Sequence, residues 1–106
     1  MQYEKPMKFM LTFDWSPDTE ARAEGIARFQ DTGGLPPEGV KFLGRWTRAD
    51  FSGGFDLLET DDAKKLLEFA YMWGDLMDLK IFPVLDDQEL STALESARKI
   101  ASSSAR

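Results

Sequence analysis

Residues Thr32 to Glu59, TGGLPPEGVKFLGRWTRADFSGGFDLLE, gather six of the chain's eight glycines and two of its five prolines into one stretch. Prolines there forbid a continuous helix, and glycines mark the places where the chain must turn sharply. Between those markers the apolar residues fall into two short runs, Val40 to Thr47 and Gly54 to Glu59, joined by residues 48–53. The stretch therefore reads as a helix stop, a crossover and a pair of strands forming a hairpin. It holds no nucleophile paired with a base, no metal-ligand spacing and no phosphate-binding loop, so it constrains architecture far more than chemistry.

The flanks supply the remaining elements. Met7 to Trp15 alternates, with Met7, Phe9, Leu11, Phe13 and Trp15 on one side and Lys8, Met10, Thr12 and Asp14 on the other. A period of two is the signature of a half-buried strand. Ser16-Pro17 predicts a helix start, with Ser16 as cap and Pro17 at the first helical position, followed by Asp18 and Glu20 in the first turn. Gly33-Gly34 predicts its left-handed end. Thr60 is expected to cap a second helix, with Asp61 and Asp62 in its first turn, Ala63, Leu66, Leu67, Ala70 and Trp73 at helical spacing, and Gly74 at its end. Leu79 to Leu85 reads as a fourth strand, which Pro83 assigns to a sheet edge or a bulge. Asp86-Asp87 opens a last helix carrying Leu90, Ala93, Leu94, Ala97 and Ile100.

At 106 residues the chain is sized for one domain. Residues 1–6 are expected to be a flexible N-terminal extension, 7–101 the domain, and 102–106 a frayed tail. The order βαββαβ plus a helix predicts an α+β, ferredoxin-like antiparallel sheet with two helices on one face. In the hairpin, Arg45 is expected opposite Asp56, Leu43 opposite Leu58, and Trp46 opposite Phe55. The bare face of the sheet is expected to carry Met10, Thr12, Leu43, Arg45, Asp56 and Leu58. Such a half-apolar face predicts sheet-to-sheet pairing with a second copy, a homodimer closed as a dimeric α/β barrel.

Composition narrows the chemistry. The chain has no cysteine and no histidine, which removes thiolate and imidazole chemistry alike, including the commonest general base and transition-metal ligand. A formal charge of −6 argues against nucleic acid as a partner. No run of about 18 apolar residues is present to span a membrane, and the N-terminus lacks a signal-peptide core. A cytoplasmic protein with no cofactor and no metal is the expectation.

The segments MKFMLTF (7–13), ARFQDTGGLPPEGVKFLGRW (27–46), SGGFDLLETDD (52–62) and DLKIFPVLDDQE (78–89) resemble the family catalogued as domain of unknown function 3303. The likeness extends over roughly residues 7 to 94, and the Gly33 to Trp46 string is its most specific part. It implies a place among the dimeric α+β barrels, hence fold and dimerisation, without an agreed activity. The position after the tryptophan, often histidine in that family, is Thr47 here, so no histidine-dependent role carries over. Dimeric α+β barrels at large include cofactor-free monooxygenases, small isomerases and haem proteins, a range that sets a menu only.

Each candidate site has a plainer reading beside it. The glycines of the Thr32–Glu59 stretch, with no Gly-x-Gly-x-x-Gly, are turn and cap residues rather than a phosphate cradle. Asp61, Asp62, Asp86, Asp87 and Glu89 stand where helices begin, and capping is a better account of them than a hard cation. Lys41, Arg45 and Arg48 form only a thin basic stripe, better read as solvated surface. Trp15, Trp46, Trp73, Phe9, Phe13, Phe42 and Phe55 are first of all core, and secondly the walls of an aromatic pocket. Arg45 and Asp56 are the most informative polar pair: either a cross-strand pair that fixes register, or a pair that positions a carboxylate or enol ligand.

The sequence thus predicts a small-molecule-binding or accessory module, with Asp14, Arg45, Trp46, Thr47, Asp56 and Trp73 as ligand-binding candidates. The alternative is a cofactor-independent monooxygenase or isomerase acting on an aromatic or polyketide-like substrate, with Trp46, Arg45 and Asp14 positioning it. A third reading is a structural protein whose last helix, Leu90 to Ile100, docks on another chain.

Overall fold

The structure, a computed structural model, describes residues 5–104. Its elements are β1 (Met7–Trp15), α1 (Thr19–Thr32), β2 (Lys41–Thr47), β3 (Gly53–Thr60), α2 (Ala63–Trp73), β4 (Met77–Val84) and α3 (Asp87–Ser104). The four strands form one antiparallel sheet in the order β2-β3-β1-β4, the ferredoxin-like arrangement predicted from the alternation of element types. Pro83 lies on β4, an edge strand, where a missing N–H costs no ladder bond. Part of the expected N-terminal extension, residues 1–4, and the last two residues of the expected tail, 105–106, lie outside the described residues. α3 runs on through Ser104, past the point where fraying was expected to begin.

Pairing fixes which side chains share a face. Phe9 stands opposite Leu58 and Leu11 opposite Asp56, while β3 sets Asp56 opposite Arg45. Directly opposed residues point the same way. Arg45, Asp56 and Leu58 therefore belong to the helix-covered face with Phe9, Leu11 and Phe13, a correction to their expected place on the bare face. Met10 and Thr12 do lie on the bare face, in the company of Trp46, Phe55, Leu57 and Phe82. A second correction concerns Leu43: a bulge between Phe42 and Gly44 puts Phe42, not Leu43, opposite Leu58. The pairs Arg45–Asp56 and Trp46–Phe55 are as expected.

Helix starts are shifted two residues from the sequence reading, and for one reason. Asp18, not Ser16, caps α1, its carboxylate accepting from the Glu20 N–H, while Ser16 Oγ accepts from the N–H of Asp18. Asp62, not Thr60, caps α2 in the same way, and Thr60 Oγ1 accepts from the Asp62 N–H while donating to the Gly39 carbonyl. In both, a hydroxyl orients the aspartate that does the capping. Gly33 does end α1 in the left-handed region (φ 75), its N–H donating to the Phe29 carbonyl. Gly74 ends α2 with an ordinary right-handed φ of −66 instead.

The core is the covered face of the sheet packed under α2 and α1: Leu11, Phe13, Val40 and Leu58 against Leu66, Phe69 and Trp73. Arg28 of α1 ties the two helices together, donating to the Met72 carbonyl and to both carboxylate oxygens of Asp75. α3 stands apart. Every residue from Leu85 to Ser103 is exposed, and the radius of gyration is 17.7 Å where a compact chain of this length has about 13 Å. Asp86 and Glu89 form a reciprocal capping box at its start, each accepting from the other's N–H.

Candidate functional site: an aromatic cavity beneath the helices

Leu11, Phe13 and Trp15 follow one another at alternate positions of β1, so their side chains rise side by side toward the helices. α1 meets them with Ile26, Phe29 and Gln30, and α2 with Phe69 and Trp73. These groups leave a cavity of about 290 Å³ between sheet and helices, closed further by Met77 and Leu79 of β4. That volume falls just below the range for small-molecule sites, roughly 300–1,000 Å³.

The aromatic wall is set by two glycine- and turn-dependent contacts. Gly25 is the buried residue of α1, because the Trp15 indole rests on its backbone: a Cβ there would come within 2.5 Å of Trp15 Cζ3. Phe51, at the tip of the β2–β3 connection, closes over the same indole, ring centroids 5.7 Å apart. Phe51 has φ 60, a left-handed conformation that is costly for a bulky aromatic. The turn is held in place by the Phe51 N–H donating to the Arg48 carbonyl, and by Ser52 donating through both N–H and Oγ to Asp50. Phe13 meets Trp15 edge-on, at 6.2 Å and 87°.

One charged pair enters this wall. Arg45 Nε and Nη2 donate to the two oxygens of Asp56 at 2.6 and 3.0 Å, and the carboxylate side chain is only 3% exposed. Nη2 also donates to the Gly34 carbonyl and Nη1 to that of Gly33. The guanidinium lies between the Phe29 and Phe42 rings, 5.3 and 4.9 Å from their centroids. Arg45 therefore pins the end of α1 to the central hairpin as well as facing the cavity. Gly34 permits this approach, since a Cβ there would come within 2.8 Å of both Arg45 Nη1 and Phe29.

Of the residues selected from sequence, Arg45, Thr47, Asp56 and Trp73 line the cavity. Asp14 and Trp46 do not. Asp14 takes an ion pair from Arg48 at 2.6 Å beside Phe55, and Trp46 is 57% exposed on the bare face. Alternation along β2 separates Trp46 from its neighbours Arg45 and Thr47. Among the wider aromatic set, Trp15 and Phe13 join the cavity wall and Phe55 does not. Sequence reasoning missed Phe29, Gln30 and Phe51. The first two sit one turn from Gly33 on the inward side of α1, a position a helical projection could have shown. Phe51 gave no signal, because its place depends on the turn's left-handed φ.

The chain matches the family described as domain of unknown function (DUF3303) over residues 7–98. It belongs to that family. The match takes in all four strands of the DUF3303 chain, both packed helices and most of α3. A solved structure, that of Rv0793 from Mycobacterium tuberculosis, is similar at 16% identity and a TM-score of 0.48, covering 78% of this chain and 98% of that one. No curated protein matches the sequence. Among the described residues of the DUF3303 chain, no helix is long and apolar enough to cross a membrane.

Proposed function

We propose that the protein is a small-molecule-binding module whose ligand occupies the cavity between the sheet and helices α1 and α2. The observation that carries this reading is the cavity itself: about 290 Å³ in a half-open cleft beside the core, walled largely by aromatic side chains, with Phe29 and Phe51 of its lining partly exposed. Binding fits the lining better than oxygenase or isomerase chemistry. Asp56 is the one carboxylate among the lining residues, and both its oxygens are engaged by Arg45, which leaves neither turned to a substrate. The module works as a homodimer, its copies meeting through the bare sheet face, where Trp46 and Phe82 are exposed beside Phe55 and Leu57.

The test is titration with N-phenyl-1-naphthylamine, a neutral fluorescent aromatic. Saturable fluorescence enhancement is expected in the native protein, and its loss in Ile26→Trp, where a larger side chain on α1 fills the cavity. Equal enhancement in both proteins would place the dye elsewhere and remove the cavity as the site.

A further inference from the structure

We infer that Gln30 and Thr47, at the mouth of the cleft, read an uncharged head that both donates and accepts hydrogen bonds, while the ligand's flat apolar body fills the buried end. An aryl carboxamide or an aryl alcohol is a ligand of that class. The inference rests on the binding reading above and specifies its ligand.

The cleft has two unlike ends. Leu11, Phe13, Phe69 and Trp73 of its lining are buried, whereas Phe29, Gln30, Thr47 and Phe51 are exposed or nearly so. Thr47 follows Arg45 by two residues on β2, an edge strand, so both side chains turn to the cleft. α1 is tied to the β2–β3 hairpin at two places. Arg45 donates to the Gly33 and Gly34 carbonyls just past the end of the helix, and Arg22 near its start lies over the Phe51 ring at 5.9 Å. Gln30 on α1 and Thr47 on β2 both fall in the span between those ties. They are the amide and the hydroxyl of the lining, and neither side chain has a hydrogen-bond partner among the described residues.

Those two groups set the head. Exposed amides and hydroxyls bond water, and an apolar body seated at the mouth displaces it. Affinity is then lost unless the ligand replaces the bonds that water made. An amide and a hydroxyl each donate and accept, so a head that also does both satisfies them in either sense. A ketone accepts only. A carboxylate accepts only as well, and its charge calls for a cation when it leaves water. Arg45 is the cation of the lining, but its Nε and Nη2 are spent on Asp56 and its Nη1 and Nη2 on the carbonyls of Gly33 and Gly34. Arg48, the residue after Thr47, is turned to Asp14 and Phe55 instead. An uncharged head needs neither arginine.

Three probes of one shape separate these terms: 2-naphthamide, 2-acetylnaphthalene and 2-naphthoate, each titrated into the full chain against bound N-phenyl-1-naphthylamine. The amide is expected to bind about three- to tenfold tighter than the ketone, which matches its outline but lacks the donor. Against the carboxylate the expected margin is about tenfold or more. Gln30→Met and Thr47→Val remove the two polar groups at exposed positions, and each is expected to shrink the amide-over-ketone ratio. In the double variant that ratio should fall to about one, whatever the absolute affinities. An amide no better than the ketone in the native protein would overturn the head assignment, and so would a ratio that survives the double variant. Equal or tighter binding of 2-naphthoate would overturn the preference for an uncharged head. Dye bound in the cleft that none of the three displaces would overturn the ligand class and leave the binding reading standing. Failure of the dye itself to bind would instead strike that reading.

Discussion

Arg45 and Asp56 face each other across β2 and β3 with Nε 2.6 Å from Oδ1, their side chains 18% and 3% exposed. At that depth the pair is not a surface ion pair worth a few tenths of a kcal/mol. Removing Arg45 leaves a carboxylate in the core with no counter-charge, and strips donors from the Gly33 and Gly34 carbonyls. Arg45→Met is therefore expected to cost about 3–5 kcal/mol of stability by urea unfolding. The double variant Arg45→Met/Asp56→Leu should recover much of that loss, because two apolar side chains of similar bulk avoid the desolvation problem. A single-variant loss below about 1 kcal/mol would assign the pair to the weak, solvent-screened class.

The register of this pair was legible before the structure, but its face was not. Alternation gives a strand two equivalent phases, and an Arg–Asp pair read in isolation favours the solvent side. What settles the phase is β1: Leu11 is core, and Asp56 is its direct neighbour in the sheet. The bulge after Phe42 explains the slip at Leu43, since one extra residue changes the pairing without changing the composition. Helix starts slipped because Ser16 and Thr60 are good caps in their own right. Each instead holds the aspartate two residues on, a choice set by backbone geometry. The cavity could be expected only as aromatics in surplus of a simple core. Its floor at Gly25 and its cover at Phe51 depend on packing and on a positive φ, neither of which a single sequence displays.

Acid stability should show the link between the two helices. The carboxyl of Asp75 is held below its ordinary value of 3.8, first by the hydrogen bonds from Arg28, and then by attraction to its charge, which outweigh the effect of burial. Arg28 is raised in turn and stays charged throughout. With the folded value below the unfolded one, the unfolded chain takes up protons first as pH falls. The stabilisation is thus complete well above pH 3.8 and is lost as pH drops through that value toward the lower folded one. Asp50 and Asp86, also lowered, add to the same limb. Asp75→Asn is expected to reduce stability modestly at pH 7 and to flatten the decline between about pH 5 and 3. Thermal unfolding across that range would check it; an unchanged slope would mean the bridge contributes nothing.

Gly25→Ala tests the cavity floor against helix propensity. In an exposed helix interior this change gains up to about 1 kcal/mol. At Gly25 the new methyl would lie 2.5 Å from Trp15 Cζ3, so the indole must move, and with it the contacts to Phe13 and Phe51. Overpacking of this kind costs about 1–3 kcal/mol. The expected result is a net loss in urea unfolding, an altered near-ultraviolet tryptophan spectrum and weaker N-phenyl-1-naphthylamine binding. A net gain in stability would show that the indole shifts freely and that Gly25 does not set the wall.

Trp46→Asp tests the dimer without entering the cavity. Trp46 lies across the glycine at position 44, where a Cβ would meet its ring at 2.9 Å, and more than half of its surface faces outward. Its neighbours Arg45 and Thr47 point the other way, so the substitution alters the bare sheet face alone. A charge at the centre of an apolar interface disfavours pairing strongly, while on a surface open to water it costs little. Sedimentation at micromolar concentration is expected to give two chains per particle for the native protein and one for Trp46→Asp, with dye binding kept in both. A native monomer would remove the homodimer outright. A Trp46→Asp dimer would move the interface off the bare sheet face to another exposed apolar surface, α3 with Leu90 and Leu94 or α2 with Leu67 and Tyr71, and loss of the dimer on deletion of residues 88–106 would assign it to α3.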